Sequence, residues 1–75
     1  MQVQVKLLGM LHEKTPPNGK LHVADGTSIA DVLATLDISS SRVQNILVNG
    51  SFEKDQSRSL SENDELMLLP PVAGG

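Results

Sequence analysis

One segment of this chain has the spacing of an amphipathic helix, and segments with the spacing of strands surround it. Its apolar residues fall at i, i+3, i+4 and i+7: Ile29, Val32, Leu33 and Leu36. Ser28 is a suitable N-cap, and Asp31 stands in the first turn, where a negative charge suits the helix dipole. A helix of about ten residues is too short to be stable alone. This helix is therefore predicted to pack its apolar stripe against a sheet.

The flanking segments alternate between apolar and polar residues, as half-buried strands do. Five strands are predicted, around Val3–Leu7, Leu21–Val23, Val43–Val48, Phe52 and Glu65–Leu69. Between the third and fourth, Asn49-Gly50 signals a tight turn, because both residues tolerate positive φ. The order of elements predicts an α+β protein with a β-grasp (ubiquitin-like) fold. In it, a mixed four- to five-stranded sheet wraps around one main helix, with the first and last strands parallel in the middle.

Length, charge and cysteine content narrow the class of protein. The 75 residues suffice for one small domain, which we expect to span residues 1–69, followed by a tail of residues 70–75. There is no cysteine, and therefore no disulfide or thiolate nucleophile. A net charge of −3 argues against nucleic acid and anionic membranes as partners. No apolar run could span a bilayer, and we identify no signal peptide, so a cytoplasmic location is expected.

The tail has an unusual composition: Pro70, Pro71, Val72, Ala73, Gly74 and Gly75. Prolines cannot donate to a strand ladder and hold the preceding residue extended, so strand pairing should end at about Leu69. Six extended residues reach roughly 20 Å. The two glycines lack Cβ atoms and fit a channel too narrow for a side chain. A frayed end is the alternative, but the pattern favours a stiff arm that carries a reactive terminal carboxylate.

That carboxylate needs chemical activation before it can react. Its pKa is roughly 3.5, so at neutral pH it is an anion and a poor acceptor for nucleophiles. The sequence contains no nucleophile–base pair, no phosphate-binding loop and no cluster with metal-ligand spacing. We therefore expect that this chain cannot activate the carboxylate by itself and that it holds no cofactor or metal of its own.

The chain resembles the ubiquitin-like sulfur-carrier family, which includes the small subunit of molybdopterin synthase (MoaD) and the thiamin sulfur carrier (ThiS). The resemblance covers the whole chain and is most specific in Leu60-Ser61-Glu62-Asn63-Asp64-Glu65-Leu66 and Leu69-Pro70-Pro71-Val72-Ala73-Gly74-Gly75. Val48-Asn49-Gly50 matches a family turn. MoaD-like proteins share the Pro-Pro-Val-x-Gly-Gly end, whereas ThiS-like proteins usually lack the double proline. Leu68 and Leu69 stand where MoaD-like proteins often have aromatic residues.

The resemblance implies chemistry at Gly75. A ubiquitin-activating-type adenylating enzyme would use ATP and Mg²⁺ to form an acyl-adenylate, and sulfur would then replace AMP to give a thiocarboxylate. The implied role is that of a carrier or co-substrate rather than an enzyme. It would be the small subunit of molybdopterin synthase, acting with the large catalytic subunit in molybdenum or tungsten cofactor synthesis. The alternatives are a ThiS-like carrier that serves thiazole synthase, a protein modifier joined to lysines through Gly75, and a plain interaction module.

The two histidines, an acidic turn and three apolar strand residues are further candidate sites. His12 and His22 are predicted to be surface residues without a metal, and Glu62, Asp64 and Glu65 to form a solvated turn. Leu47, Met67 and Leu69 alternate away from the helix-facing residues, so they are predicted to form an apolar patch on the open face of the sheet. A loop could instead cover them. With Pro70, Pro71, Val72, Ala73 and Gly74, these three residues form the predicted partner-binding surface.

Overall fold

The computed structural model describes residues 1–71, and within them the chain forms one α-helix and a five-stranded sheet. The elements are β1 (Gln2–Leu7), β2 (Lys20–His22), α1 (Ile29–Thr35), β3 (Asn45–Val48), β4 (Ser51–Phe52) and β5 (Glu65–Leu69). Short 3₁₀ helices occur at Gly9–Lys14, Pro17–Gly19 and Ser40–Arg42. In the described part of the chain no helix is both long and apolar enough to cross a membrane.

The strands lie side by side in the order β2-β1-β5-β3-β4. β1 and β5 run parallel, and the other neighbouring pairs are antiparallel. The intervening chain, including α1, supplies the long crossover that a parallel pair requires. The predicted α+β class and the ubiquitin-like β-grasp fold are thus confirmed, including the parallel first and last strands inside the sheet.

Helix α1 begins as the sequence predicts. Ser28 Oγ accepts a hydrogen bond from Asp31 N at 3.1 Å, and Asp31 Oδ2 accepts one from Ser28 N at 3.1 Å. This reciprocal pair satisfies two backbone donors at the start of the helix. Ile29 N and Ala30 N donate to carbonyl groups of Arg58 and Gln56, at 3.1 and 2.9 Å. The polar loop after β4 therefore closes the helix start.

The helix is shorter than the roughly ten residues predicted. It spans seven residues, and the C-cap is Leu36. Asp37 follows with a φ of +58°, a left-handed conformation that an α-helix cannot continue through. Leu36 is consequently half-buried at the helix end, whereas Ile29, Val32 and Leu33 are buried.

One continuous core lies between α1 and one face of the sheet. Its buried members are Val3, Val5, Leu7, Leu11, Ile29, Val32, Leu33, Ile38, Ile46, Val48, Leu60, Leu66 and Leu68. The alternation in β3 and β5 is as predicted, with Ile46, Val48, Leu66 and Leu68 pointing inward. β3 begins two residues later than predicted, because the Ser40–Arg42 3₁₀ helix precedes it and Val43 N still donates to Ser40 O at 3.2 Å.

Candidate functional site

The chain leaves the sheet at the end of β5, the strand between β1 and β3. Leu68 O accepts a hydrogen bond from Leu8 N at 3.2 Å, and Leu69 O accepts one from Gln44 N at 2.7 Å. The last two residues of β5 are thus held from both sides. β5 ends at Leu69, where the double proline predicted the end of pairing, and Pro70 is half-buried.

Pro70 lies against a glycine of the segment that follows β1. Gly9 has a φ of +57°, and a Cβ placed on it would stand 2.9 Å from Pro70 Cγ. In the sequence, Gly9 lies between the first two predicted strands. No local pattern predicts that it meets the start of the tail, because the contact depends on how β1 and β5 pair.

An apolar row crosses the face of the sheet that is turned away from α1. Strand pairing sets Met67 beside Leu47, and Leu47 beside Phe52. Leu47 and Met67 are half-buried, whereas Phe52 is 71% exposed. Leu69 follows Met67 on the same face and is also half-buried. These four residues, Leu47, Phe52, Met67 and Leu69, form the open-face patch.

Three members of the open-face patch lie on the face that the sequence predicted, but Phe52 was missed. The signal was available in the turn. Asn49 has a φ of +53° and Gly50 a φ of +85°, and this two-residue turn sets Val48 opposite Ser51. Counting one further pair from that turn places Phe52 opposite Leu47. The role of the patch in partner binding stays a prediction.

The other half of the same face is polar. β1 contributes Gln2, Gln4 and Lys6, and β2 contributes Lys20 and His22. Lys6 stands opposite Met67 and marks the border between the polar half and the open-face patch. His12 and His22 are both exposed, as predicted. The apolar character is therefore confined to the β5-β3-β4 half, next to the point where the tail leaves.

A buried carboxylate links the β3–β4 turn to the start of β5. Asp64 is 8% exposed, and its two oxygens accept hydrogen bonds from Asn49 Nδ2 at 2.9 Å and from Ser61 N at 2.8 Å. Asn49 Oδ1 in turn accepts a bond from Glu65 N at 2.9 Å. The hydrogen bond from Asn49, followed by that from Ser61, lowers the pKa of Asp64 below its usual value.

This network corrects the prediction that Glu62, Asp64 and Glu65 form a solvated turn. Glu62 and Glu65 are exposed, but Asp64 is a structural side chain. Within residues 1–71 no group of three or more histidine, aspartate and glutamate residues is placed to hold a metal ion. The network instead fixes the two strands on which Leu47 and Met67 stand.

The predicted site residues Val72, Ala73, Gly74 and Gly75 lie outside the described residues. What the described part offers is an apolar patch on the open face of the sheet and, beside it, a strand end that is hydrogen-bonded on both sides. It brings Leu47, Met67 and Leu69 together, adds Phe52, and leads from Leu69 directly into Pro70 and Pro71.

Comparison with known proteins gives one family and several structural relatives. The family model described as the ThiS family matches residues 5–75. Among curated proteins there is no match. SAMP1 from Haloferax volcanii is similar in structure, with a TM-score of 0.74, 24% identity and full coverage of both chains.

Two further structures share the fold. One is a chain from the complex of subunits 1 and 2 of the molybdopterin-converting factor of Helicobacter pylori 26695, with a TM-score of 0.64, 24% identity and full coverage of both chains. The other is a Haloferax volcanii protein solved in solution, with a TM-score of 0.72 and 20% identity, covering 100% of this chain and 87% of the other. At these identities the likeness concerns the fold alone.

Proposed function

The chain belongs to the ThiS family, and from this premise we propose that it is a sulfur carrier whose reactive group is the terminal carboxylate of Gly75. The observation that carries the proposal is the extent of the family match, which runs from residue 5 through Gly74 and Gly75. The ubiquitin-like fold supports it, because β5 delivers the chain to the sheet end in a fixed position.

The reaction proceeds in two steps on a partner enzyme. A carboxylate oxygen of Gly75 attacks the α-phosphorus of Mg²⁺-bound ATP, which forms an acyl-adenylate and releases pyrophosphate. A sulfide-level sulfur nucleophile then attacks the acyl carbon. AMP leaves with the carboxylate oxygen, and a thiocarboxylate remains on Gly75. The chain supplies the acyl group, and the adenylating enzyme supplies ATP binding and catalysis.

The open-face patch is the proposed docking surface for this enzyme. Leu69 belongs to the patch and is bonded to Pro70, so the docking face and the tail are continuous in the chain. A partner that covers Leu47, Phe52, Met67 and Leu69 would receive Pro70, Pro71, Val72, Ala73 and Gly74 along a channel that leads to its active site. A few well-packed residues near the centre of such an interface contribute most of its affinity.

The proposed recipient of the sulfur is molybdopterin, with this chain acting as the small subunit of molybdopterin synthase. One observation supports this assignment over a ThiS-like role with thiazole synthase: the tail carries the Pro70-Pro71 pair that ThiS-like carriers usually lack. The fold likeness to a chain of a molybdopterin-converting factor complex is compatible with this role but does not separate it from the alternatives. The larger synthase subunit would draw the Gly75 thiocarboxylate into its active site.

The test of the carrier role is the intact mass of the protein after incubation with the adenylating enzyme of the same genome, ATP, Mg²⁺ and a sulfide source. We expect the mass to rise by the difference between sulfur and oxygen, with the change located on the C-terminal peptide. Omission of ATP is the control. An unchanged mass, together with no release of pyrophosphate, would contradict the proposal.

A second measurement tests the pathway. The purified thiocarboxylate form is mixed with a molybdopterin synthase large subunit and its sulfur-free pterin substrate, or with thiazole synthase and its substrates. We expect the protein to return from the thiocarboxylate mass to the carboxylate mass only in the mixture with the molybdopterin synthase large subunit. If it returned only in the mixture with thiazole synthase, the chain would be assigned to thiazole synthesis. Lysine-linked adducts in cells would indicate a protein modifier.

A further inference from the structure

Pro70 occupies the space that a side chain at position 9 would need. A Cβ on Gly9 would lie 2.9 Å from Pro70 Cγ and 3.6 Å from Pro70 Cδ. Carbon atoms in favourable contact stand about 3.5–4.0 Å apart. The proline ring at the start of the tail therefore rests directly on the glycine backbone.

The segment that carries Gly9 is anchored to the core on both sides of the contact. Leu8 N donates to Leu68 O at 3.2 Å, and the Leu11 side chain is only 1% exposed. On the opposite side of β5, Leu69, the residue before Pro70, accepts a hydrogen bond at its carbonyl oxygen from Gln44 N at 2.7 Å. Neither the segment that carries Gly9 nor Leu69 can move without breaking a sheet hydrogen bond or opening the core, so the position of Pro70 is rigid.

We propose that Gly9 is a positioning residue for the terminal carboxylate, because the room it leaves for the Pro70 ring sets the direction in which the tail leaves β5. The inference rests on the proposed function, since it concerns the approach of the same Gly75 carboxylate to its activating enzyme. Pro70 transmits the direction, because its ring fixes φ and Pro71 holds it in an extended conformation.

A side chain at position 9 would turn the start of the tail. The Pro70 ring cannot rotate away as a flexible side chain does, because its Cδ is bonded to its own backbone nitrogen. The backbone at residue 70 must then shift, and the shift is passed on to Pro71, the next residue of the chain. A misplacement of about 1 Å at reacting atoms can cost a hundredfold in rate.

Gly9→Ala and Gly26→Ala form a matched pair for the test. Gly26 has a φ of +85°, and a Cβ placed on it meets nothing within 4 Å. Both substitutions place a Cβ on a left-handed residue, but only the one at Gly9 meets the tail. We expect Gly9→Ala to lower kcat/KM for ATP-dependent adenylation of Gly75 by about tenfold to a hundredfold. Gly26→Ala should stay near wild type, and equal losses in the two variants would overturn the proposal.

The same substitution is then made in a Pro70→Ala background. Alanine at position 70 lacks Cγ and Cδ, so Gly9→Ala should cost little beyond the effect of Pro70→Ala alone. If Gly9→Ala lowers kcat/KM by the same factor in the wild type and in Pro70→Ala, residues 9 and 70 are not coupled. That result would also overturn the proposal.

Residual dipolar couplings of the Cα–Hα bonds of Pro70 and Pro71 test the direction in the free protein. They should change in Gly9→Ala and stay constant in Gly26→Ala. If the wild type is never adenylated, the proposed function fails, and these couplings still decide the role of Gly9. Unchanged couplings in Gly9→Ala would refute it. Should Gly9→Ala not fold, Gly9→Asn replaces it, because asparagine already adopts positive φ at Asn18, Asn49 and Asn63.

Discussion

At the scale of single residues, Met67 lies between Leu47 and Lys6 and belongs to the proposed docking face. We expect Met67→Arg to weaken binding to the adenylating enzyme by at least ~1.4 kcal/mol, a factor of ten. The reason is that a charge placed in an apolar interface is desolvated and unpaired. Isothermal titration calorimetry checks the affinity, and a thermal melt checks the fold. The arginine would stand opposite Lys6, so a loss of up to about 1 kcal/mol in stability is also expected.

Gln4→Arg is the control for that substitution. Gln4 is an exposed residue of β1 on the polar half of the same face, opposite Glu65. It should fold and bind nearly as the wild type does. If Met67→Arg binds normally, the open-face patch is not the docking surface, and recognition depends on the tail alone.

Phe52 is the patch residue that was not predicted from the sequence. Because it is 71% exposed, Phe52→Ala should leave the denaturation midpoint nearly unchanged. Binding to the adenylating enzyme should weaken by about 1 kcal/mol or more, in the range of interface residues that matter. A lowered denaturation midpoint with normal binding would show that Phe52 supports the β4 edge instead.

At the scale of elements, the Asp64 network joins the β3–β4 turn to β5 and makes stability depend on pH. The pKa of Asp64 is lowered in the folded state, chiefly by the hydrogen bond from Asn49. The stabilisation is therefore complete above the unfolded-state pKa of about 3.9 and is lost as pH falls through the lower folded-state value. Asp64→Asn should cost about 1–3 kcal/mol at pH 7, because one donor is left without its acceptor. Urea denaturation at pH 7 and at low pH measures both effects.

Asp55→Asn serves as the comparison for Asp64→Asn. Asp55 accepts hydrogen bonds from Ser57 N and Ser57 Oγ, and its pKa is also lowered by these bonds, but it is fully exposed. Its replacement should barely change the free energy of unfolding. If both variants lost stability equally, burial of Asp64 would not be the cause.

Helix α1 gives a second test of the elements. Leu33→Ala should cost about 2–5 kcal/mol, because Leu33 is buried between the helix and the sheet. Leu36→Ala should cost clearly less, because Leu36 is half-buried at the helix end. Urea midpoints of the two variants decide the matter. Equal losses would mean that the helix extends further over the core than its C-cap indicates.

Local patterns were sufficient to predict most elements. Alternation in β1, β3 and β5 placed Val3, Ile46 and Leu66 in the core, and the Ser28 cap gave the helix start. The helix length was overestimated, because Leu36 already forms the C-cap and Asp37 adopts a left-handed conformation that propensity does not reveal. The burial of Asp64 and the seat of Pro70 on Gly9 were missed for another reason. Both depend on contacts between segments far apart in the chain, which periodicity does not encode.

At the scale of the whole molecule, the tail and the domain are expected to be separable. Deletion of Gly74 and Gly75 should abolish thiocarboxylate formation and leave the melting temperature unchanged. The reason is that Leu69 still pairs with β3 and Pro70 still rests on Gly9 in the shortened chain. Mass spectrometry and differential scanning calorimetry measure the two outcomes.

Gly74→Val is the companion to the deletion. It keeps the length of the chain and adds a β-branched side chain, which a narrow channel would exclude. It should therefore impair transfer nearly as much as the deletion does. A melting temperature several degrees lower in the deletion variant would instead make the tail part of the domain.

The central place of β5 has a consequence for how the protein is made. β5 is the last of the five strands to be synthesised, yet it lies between β1 and β3. Until it leaves the ribosome, the strands of the growing chain can form only two separate pairs, β1–β2 and β3–β4, and an isolated pair of strands is marginally stable in water. Interrupted chains that lack Leu66 and Leu68 cannot close the core and should be open to proteases. Folding therefore requires β5, the strand that leads directly into the tail. Truncated copies without β5 should not persist as folded proteins that compete for the activating enzyme.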